Sequence, residues 1–243
     1  MSTGGRAPGA WALTIVAALL TVGSAATDIM AFTRLGNVFA SVMTSNIVFL
    51  GLAAARHSGS LALHAAVSFA GYAAGVLAGS RLARRPARTG AADVEAAAGS
   101  GWTPWIVATL GVEAAVLIGF TIGWEVTGTH PSGGSEFLLI ALATVAMGLQ
   151  SAVVVVLDIS GVGTTYLTGT LTSLLDSLAS PGEARGTATR RQANLRRAFA
   201  LSALVVGALL AGLLISAAPA AVPAIPLAAL ATVLTIGVNR LRR

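Results

Sequence analysis

TTYLTGTLTSLLDSLAS, residues 164–180, has the leucines of a helix but also a dense set of hydroxyls and a carboxylate, Asp176. SVMTSNIVFLG, residues 41–51, poses the same puzzle in shorter form. Whether such segments sit in a soluble core or interrupt a membrane bundle decides the fold. Composition answers first. The chain has 243 residues, of which 55% are hydrophobic and 10% charged, with a mean hydropathy of +0.82. Soluble domains carry about 25% charged residues, whereas a multi-span membrane protein needs repeated apolar runs of about 20 residues. The sequence therefore describes an integral membrane protein.

Clear apolar runs cover residues 10–26, 61–82, 103–124, 137–157, 198–218 and 221–238. At 1.5 Å per residue, each is near the length that crosses a hydrocarbon core of about 30 Å. The first run follows Arg6 in the manner of a leader, but it continues without a small-residue cleavage boundary into Asp28, which argues against removal. All the basic residues are arginine, and they cluster in short segments between apolar runs. Arg81, Arg84, Arg85 and Arg88 follow the second run, Arg185, Arg190, Arg191, Arg196 and Arg197 precede the fifth, and Arg240, Arg242 and Arg243 follow the last. Arginines so placed set topology rather than bind nucleic acid. The positive-inside rule puts these clusters and both termini in the cytoplasm of a bacterial inner-membrane protein.

That orientation requires an even number of crossings between successive clusters. The segments at residues 34–56 and 158–180 must then make no net crossing, and each is expected to enter and leave on one side. The expected fold is all-α, with about six transmembrane helices plus two shorter, polar, partly re-entrant ones. Full crossing by both segments, giving eight helices, is the alternative.

The two polar segments also head an internal repeat. Gly23, Gly36 and Thr44-Ser45-Asn46 correspond, with one residue of slippage, to Gly148, Gly161 and Thr168-Gly169-Thr170. The repeats span about residues 10–124 and 136–239, within a single membrane domain. Because one starts inside and the other outside, they are inverted, a recurring plan in transporters. Irregular backbone at membrane depth survives only when buried in protein or lining a cavity, so the two segments are expected to face each other.

Thr164, Thr168, Thr172 and Asp176 recur every four residues and make one stripe on a helix. Asn37, Ser41 and Ser45 make a shorter one. Hydroxyls and carboxamides can replace part of a solute's hydration shell without fixed charge. The expected substrate-binding set is Asn37, Ser41, Thr44, Ser45, Asn46, Gln150, Thr164, Thr168, Gly169, Thr170 and Thr172. The opposing reading is that such groups only satisfy helix carbonyls or join helices. Ionisable residues at membrane depth, Asp28, Arg34, Glu113 and Asp158, need a partner or a function. With Asp176 they form the expected ion- or proton-coupling set. For Glu113 the alternative is pairing with Arg34. Asp28 is close enough in sequence to pair with Arg34 too, and Asp28 and Asp158 also suit turn or cap roles.

No enzyme constellation emerges. GVGTTYLTG lacks the lysine of a phosphate-binding loop, His57, His64 and His130 are scattered, and the chain has no cysteine. Neither a cofactor nor a metal is expected. TDIMAFTRLGNVFASVMTSNIVFLGLAAA and GLQSAVVVVLDISGVGTTYLTGTLTSL resemble the bacterial YoaK family, a domain of unknown function (DUF1275), over nearly the whole chain. That resemblance implies a small membrane protein with about six spans and no established substrate. Ser45 stands where the family typically has glycine, which weakens any strict backbone role there. The expected function is a small permease, transporter-like or channel-like, for a small solute or ion, and the alternative is a scaffold or sensor that transports nothing. Expected partners are membrane lipids and the solute, without nucleic acid, and the sequence leaves a homo-oligomer open.

Overall fold

The structure, a computed structural model, describes residues 9–85, 102–128, 130–157, 167–179 and 187–242. Its helices are α1 (Gly9–Arg34), α2 (Met43–Ala55), α3 (Gly59–Ala83), α4 (Pro104–Thr127), α5 (Gly134–Val156), α6 (Leu167–Ala179), α7 (Thr187–Ala217) and α8 (Ala224–Leu241). A 3-10 turn at Pro219–Ala221 leads into α8. Six of these are long and apolar enough to cross a membrane, and α2 is a shorter apolar helix. With α6, the six-plus-two architecture expected from the sequence is present.

Local chemistry sets the breaks. α1 ends where Gly36 and Asn37 adopt successive positive φ angles of 71° and 60°, a left-handed turn that glycine and asparagine tolerate best. The Ser58 hydroxyl caps α3 by accepting from Leu61 N–H. Thr103 caps α4 in the same way at Ile106, with Pro104 in the first turn, where its missing N–H costs nothing.

α1 and α5 are the most buried spans and form the interior of the bundle. α3 packs on α5 and α7 on α1, α4 packs on α5 and α8 on α1, while α2 packs on α3 and α6 on α7. The outward faces of the peripheral spans carry Leu63, Phe69, Leu77, Ile118, Ile122, Val205, Leu209 and Leu213, all exposed, as lipid contact requires.

The contact between α3 and α5 is a glycine seam. Gly71, Gly75 and Gly79 recur at four-residue spacing on α3 and face Thr144, Val145, Gly148 and Ala152 on α5. A Cβ on Gly75 would lie 2.3 Å from the Val145 carbonyl oxygen, and one on Gly148 would lie 2.3 Å from that of Tyr72. On the opposite side, a Cβ on Gly207 of α7 would lie 2.5 Å from the Val22 carbonyl oxygen of α1. Small residues let backbones approach this closely in lipid, where dispersion rather than water exclusion joins helices.

The ends of the bundle can be named by contacts. At one, Arg34 meets His130 and the Ile215 carbonyl, and Trp124 donates to the Pro219 carbonyl. At the other, Arg85 lies over the Trp105 ring and Trp102 lies against Gly237. α1 thus ends where α5 begins, and the two interior helices run antiparallel.

Gly148→Ala should lower the unfolding temperature of the detergent-solubilised protein, by overpacking of about 1–3 kcal/mol, although alanine favours a helix over glycine by ~1 kcal/mol. Gly119→Ala, whose Cβ would enter open space, should leave it unchanged or raise it; equal behaviour of the two variants contradicts the seam.

Candidate functional site

Between α1 and α2 the chain runs as an unwound segment, Leu35–Val42, that turns back from the His130 end into the bundle. A backbone at that depth has no water to bond. Side chains bond it instead. The Asp28 carboxylate, one and a half turns before the end of α1, accepts from the Ala40 and Ser41 N–H groups at 2.8 Å each and from the Ser41 hydroxyl at 2.6 Å. Ser24, one turn earlier, donates to the Ser41 oxygen at 3.1 Å. The Asn46 side chain, fully buried on α2, accepts from Phe39 N–H at 2.9 Å and donates to the Phe39 carbonyl at 2.7 Å. Its amide also donates to Ser68 of α3 at 2.7 Å, and the Ser68 hydroxyl donates to the same Phe39 carbonyl at 2.8 Å. Each unsatisfied backbone group at this depth would cost several kcal/mol, so Asp28, Asn46 and Ser68 are what permit the helix to break here.

The break leaves a cavity on each side of the segment. One, of about 360 Å³, lies at the N-terminus of α2 and is lined by the hydroxyls of Ser41, Thr44, Tyr72, Ser80 and Ser151, with Val42, Met43, Val76, Ala152 and Val155 between them. Ser80 and Val155 place it towards the Arg85 end. α2 begins at Val42 with no side-chain cap, so its first N–H groups give a partial positive charge beside this cavity. The other, of about 580 Å³, opens at the His130 end and is lined by Gly36, Asn37, Arg56, Ser58, Ser60, His64 and Glu136 over Phe32, Phe49, Leu52 and Leu61.

The residues singled out in the sequence fall into distinct places. Asp28, Ser41 and Asn46 come together as the support of the unwound segment. Thr44 lines the first cavity, Ser45 is half-buried in the first turn of α2, and Asn37 is exposed in the turn above the second cavity. Gln150 donates to the Leu20 carbonyl at 3.2 Å, tying α5 to α1. On α6 the stripe of Thr168, Thr172 and Asp176 is exposed, as is Gly169, and Thr170 is buried. α6 is instead held to α7 by its other side, where Arg190 and Asn194 donate to Ser177 and Arg197 donates to the Ser173 carbonyl. α2 and α6 each pack on the helix that follows rather than on each other, so the expected face-to-face meeting does not occur at these helices. Asp158 and Thr164 lie outside the described residues.

The ion pairs with Arg34 that were the alternatives for Asp28 and Glu113 are replaced by other contacts. Arg34 bonds His130 at 2.6 Å and pairs with neither Asp28 nor Glu113. Asp28 is neither a turn nor a cap residue of its own helix but lies within α1. Glu113 is fully buried on the α4 stripe of Ile106, Leu110, Leu117, Phe120 and Trp124, and neither of its carboxyl oxygens has a hydrogen-bond partner. It stands 14 positions before the end of α4, about 20 Å from the His130 end by helix rise. Ser24, Ser68, Ser80, Ser151 and Tyr72 were not legible beforehand, since a single hydroxyl within an apolar span forms no pattern.

The fold and this site define a multi-pass membrane protein with a broken, re-entrant segment inside its bundle. The chain belongs to the family described as "Protein of unknown function (DUF1275)", whose model matches residues 16–236. It is similar to the UPF0700 transmembrane protein YoaK of Bacillus subtilis (strain 168), at 27% identity over 161 residues, which cover 66% of this chain and 65% of that protein. No solved structure matches the chain.

Removing the carboxylate in Asp28→Ala should leave the Ala40 and Ser41 N–H groups without acceptors, at about 1–3 kcal/mol each. Hydrogen exchange at those two amides should then rise while the core of α4 stays protected. Asp28→Asn, which keeps an acceptor oxygen, should fall between; unchanged exchange in Asp28→Ala would show that the segment is held by something else.

Proposed function

We propose that this protein is a small permease of the bacterial cytoplasmic membrane, transporter-like or channel-like, that passes a small solute or ion along the hydroxyl-lined path beside the Leu35–Val42 segment. The observation that carries this reading is the segment itself. An unwound, side-chain-bonded stretch inside a membrane bundle, with a polar-lined cavity on either side, is the arrangement by which broken helices hold solutes near the midplane. Thr44 and Ser41 offer hydroxyls on one side and Asn37 a carboxamide on the other. A structural role alone accounts for Asp28, Ser41 and Asn46, but it does not call for Thr44, Ser80 and Ser151 around the smaller cavity.

The inverted-repeat plan supports the same reading. Exchanging α1 with α5, α2 with α6, α3 with α7 and α4 with α8 leaves the main packing relations unchanged, and the interior pair is antiparallel. Among the described residues, the Arg85 end also carries Arg81, Arg84, Arg190, Arg191, Arg196, Arg197, Arg240 and Arg242, against Arg34 and Arg56 at the His130 end. That imbalance favours a cytoplasmic Arg85 end with both termini inside. Glu113, buried on α4 without a hydrogen-bond partner and lining neither cavity, is a second candidate for proton exchange.

The chain has no cysteine, so Thr44→Cys and Gly169→Cys can each be probed in proteoliposomes with a membrane-impermeant maleimide. Thr44→Cys should react from the Arg85 side, and a solute identified by thermal shift should slow that reaction and be taken up by the vesicles. Protection of both positions from both sides, with no uptake, would leave a scaffold or sensor as the function.

A further inference from the structure

At the His130 end, two side chains meet in a way that needs a proton between them. His64, in the second turn of α3, has Nδ1 at 2.7 Å from the Ser60 carbonyl oxygen. A carbonyl only accepts, so Nδ1 carries a hydrogen and donates it. The Ser60 hydroxyl stands 3.3 Å from the same nitrogen. In a neutral ring the other nitrogen, Nε2, is then a bare acceptor. It faces Oε1 of Glu136, in the first turn of α5, at 3.3 Å. Nε2 is buried and makes no hydrogen bond in this geometry, so the carboxylate oxygen stands beside it as a close charged neighbour. Two acceptors at this distance repel unless one carries a proton, so the contact is favourable only when the pair holds one.

The ring is also wedged against the re-entrant turn. It stacks on Phe137 at 4.7 Å between centroids, and a Cβ on Gly36 would lie 2.2 Å from the imidazole. The positive-φ turn at Gly36 and Asn37 therefore rests directly on this side chain. Between that turn and Thr44 on the other cavity lies only the segment held by Asp28 and Asn46. A change at His64–Glu136 has a short covalent path to the site proposed above.

We propose that His64 and Glu136 form a proton-binding site at the His130 end, and that its occupancy sets the position of the re-entrant turn. With the proton bound, an imidazolium–carboxylate contact ties α3 to α5 under Gly36. Without it, the Glu136 carboxylate turns away from Nε2 into the 580 Å³ cavity and the turn loses its support. The proton comes from and returns to the water of that cavity. The other charged or titratable groups at this end are accounted for. Arg56 lines the same cavity from the end of α2 and is the cation towards which a freed carboxylate would turn. His57 and Glu125 are exposed at the ends of α2 and α4, and His130 is held by Arg34 of α1. As a coupling device the site rests on the permease reading, whereas the proton site itself does not.

Both levels can be read in the full-length protein. Histidine-selective ¹⁵N NMR in micelles, with His64 assigned through His64→Gln, should show Nδ1 protonated throughout and Nε2 gaining its proton as pH falls. The maleimide reaction of Thr44→Cys should change several-fold over the same pH range. The amide introduced by Glu136→Gln can donate to Nε2 and imitate the bound proton, so this variant should hold that rate at its acid value at every pH. Glu136→Ala should hold it at its alkaline value. An Nε2-protonated tautomer at alkaline pH, or wild-type pH dependence in both Glu136 variants, overturns the proposal. Locked rates in the two variants without solute uptake would keep the proton site and reject the permease, while uptake with unaltered pH dependence in both would do the reverse.

Discussion

The constraint on which the rest depends is the bonding of three consecutive residues, Phe39, Ala40 and Ser41, at a depth where no water can serve them. Their N–H groups, and the Phe39 carbonyl, go to Asp28, Asn46 and Ser68. These three side chains come from α1, α2 and α3, so bonding the segment also joins the helices that surround it. A hydrophobic contact could not do this, because lipid tails satisfy apolar side chains equally well on either side of a wrong register. The polar cluster thus supplies a specificity that apolar packing in a membrane lacks.

From that cluster the cavities follow. A helix that spans leaves no room beneath itself, whereas α2 begins partway through the bundle and leaves the space below its first turn to be lined by α3 and α5. The seam of Gly71, Gly75 and Gly79 on Gly148 brings those two helices so close that the space cannot be filled by their larger side chains, and Tyr72, Ser80 and Ser151 border what remains. The small residues and the hydroxyls therefore belong to one design. Glycine sets the helix spacing and the unwound segment sets the depth.

Much of this was legible in the sequence, and the parts that were not share one cause. Hydropathy showed the spans because a helix of fixed rise must match a bilayer of fixed thickness. Arginine parity led to the expectation that residues 34–56 make no net crossing. Asp28 and Asn46 stood out as polar groups in apolar surroundings. What they bond did not, because Asn46 meets Ser68 and His64 meets Glu136 only once α3 has been placed beside α2 and α5. For Arg34 an acidic partner was the alternative that charge alone suggests, and the fold gives it a histidine 96 residues away. The α6 stripe misled for a different reason. Four-residue spacing identifies a face but not its direction, and here Ser173 and Ser177 are the groups turned to the neighbouring helix.

The two halves that the sequence aligns differ in chemistry, and this difference bears on how the fold could work. Counting from the equivalent glycines Gly23 and Gly148, the position of Asp28 in the second half is held by Val153, a fully buried valine. Asp158, two positions after the end of α5 at Val156, lies outside the described residues. Among the described residues of the second half no carboxylate occupies the place of Asp28, and α6 is tied through arginines of α7 near the Arg85 end. A carboxylate latch deep in the bundle and guanidinium contacts near its end differ in their access to water. The α6–α7 hydrogen bonds are part-buried and those of Asp28 fully buried, and the deeper ones are the costlier to break. Among the described contacts, the re-entrant segment of the first half is accordingly the one that costs most to displace.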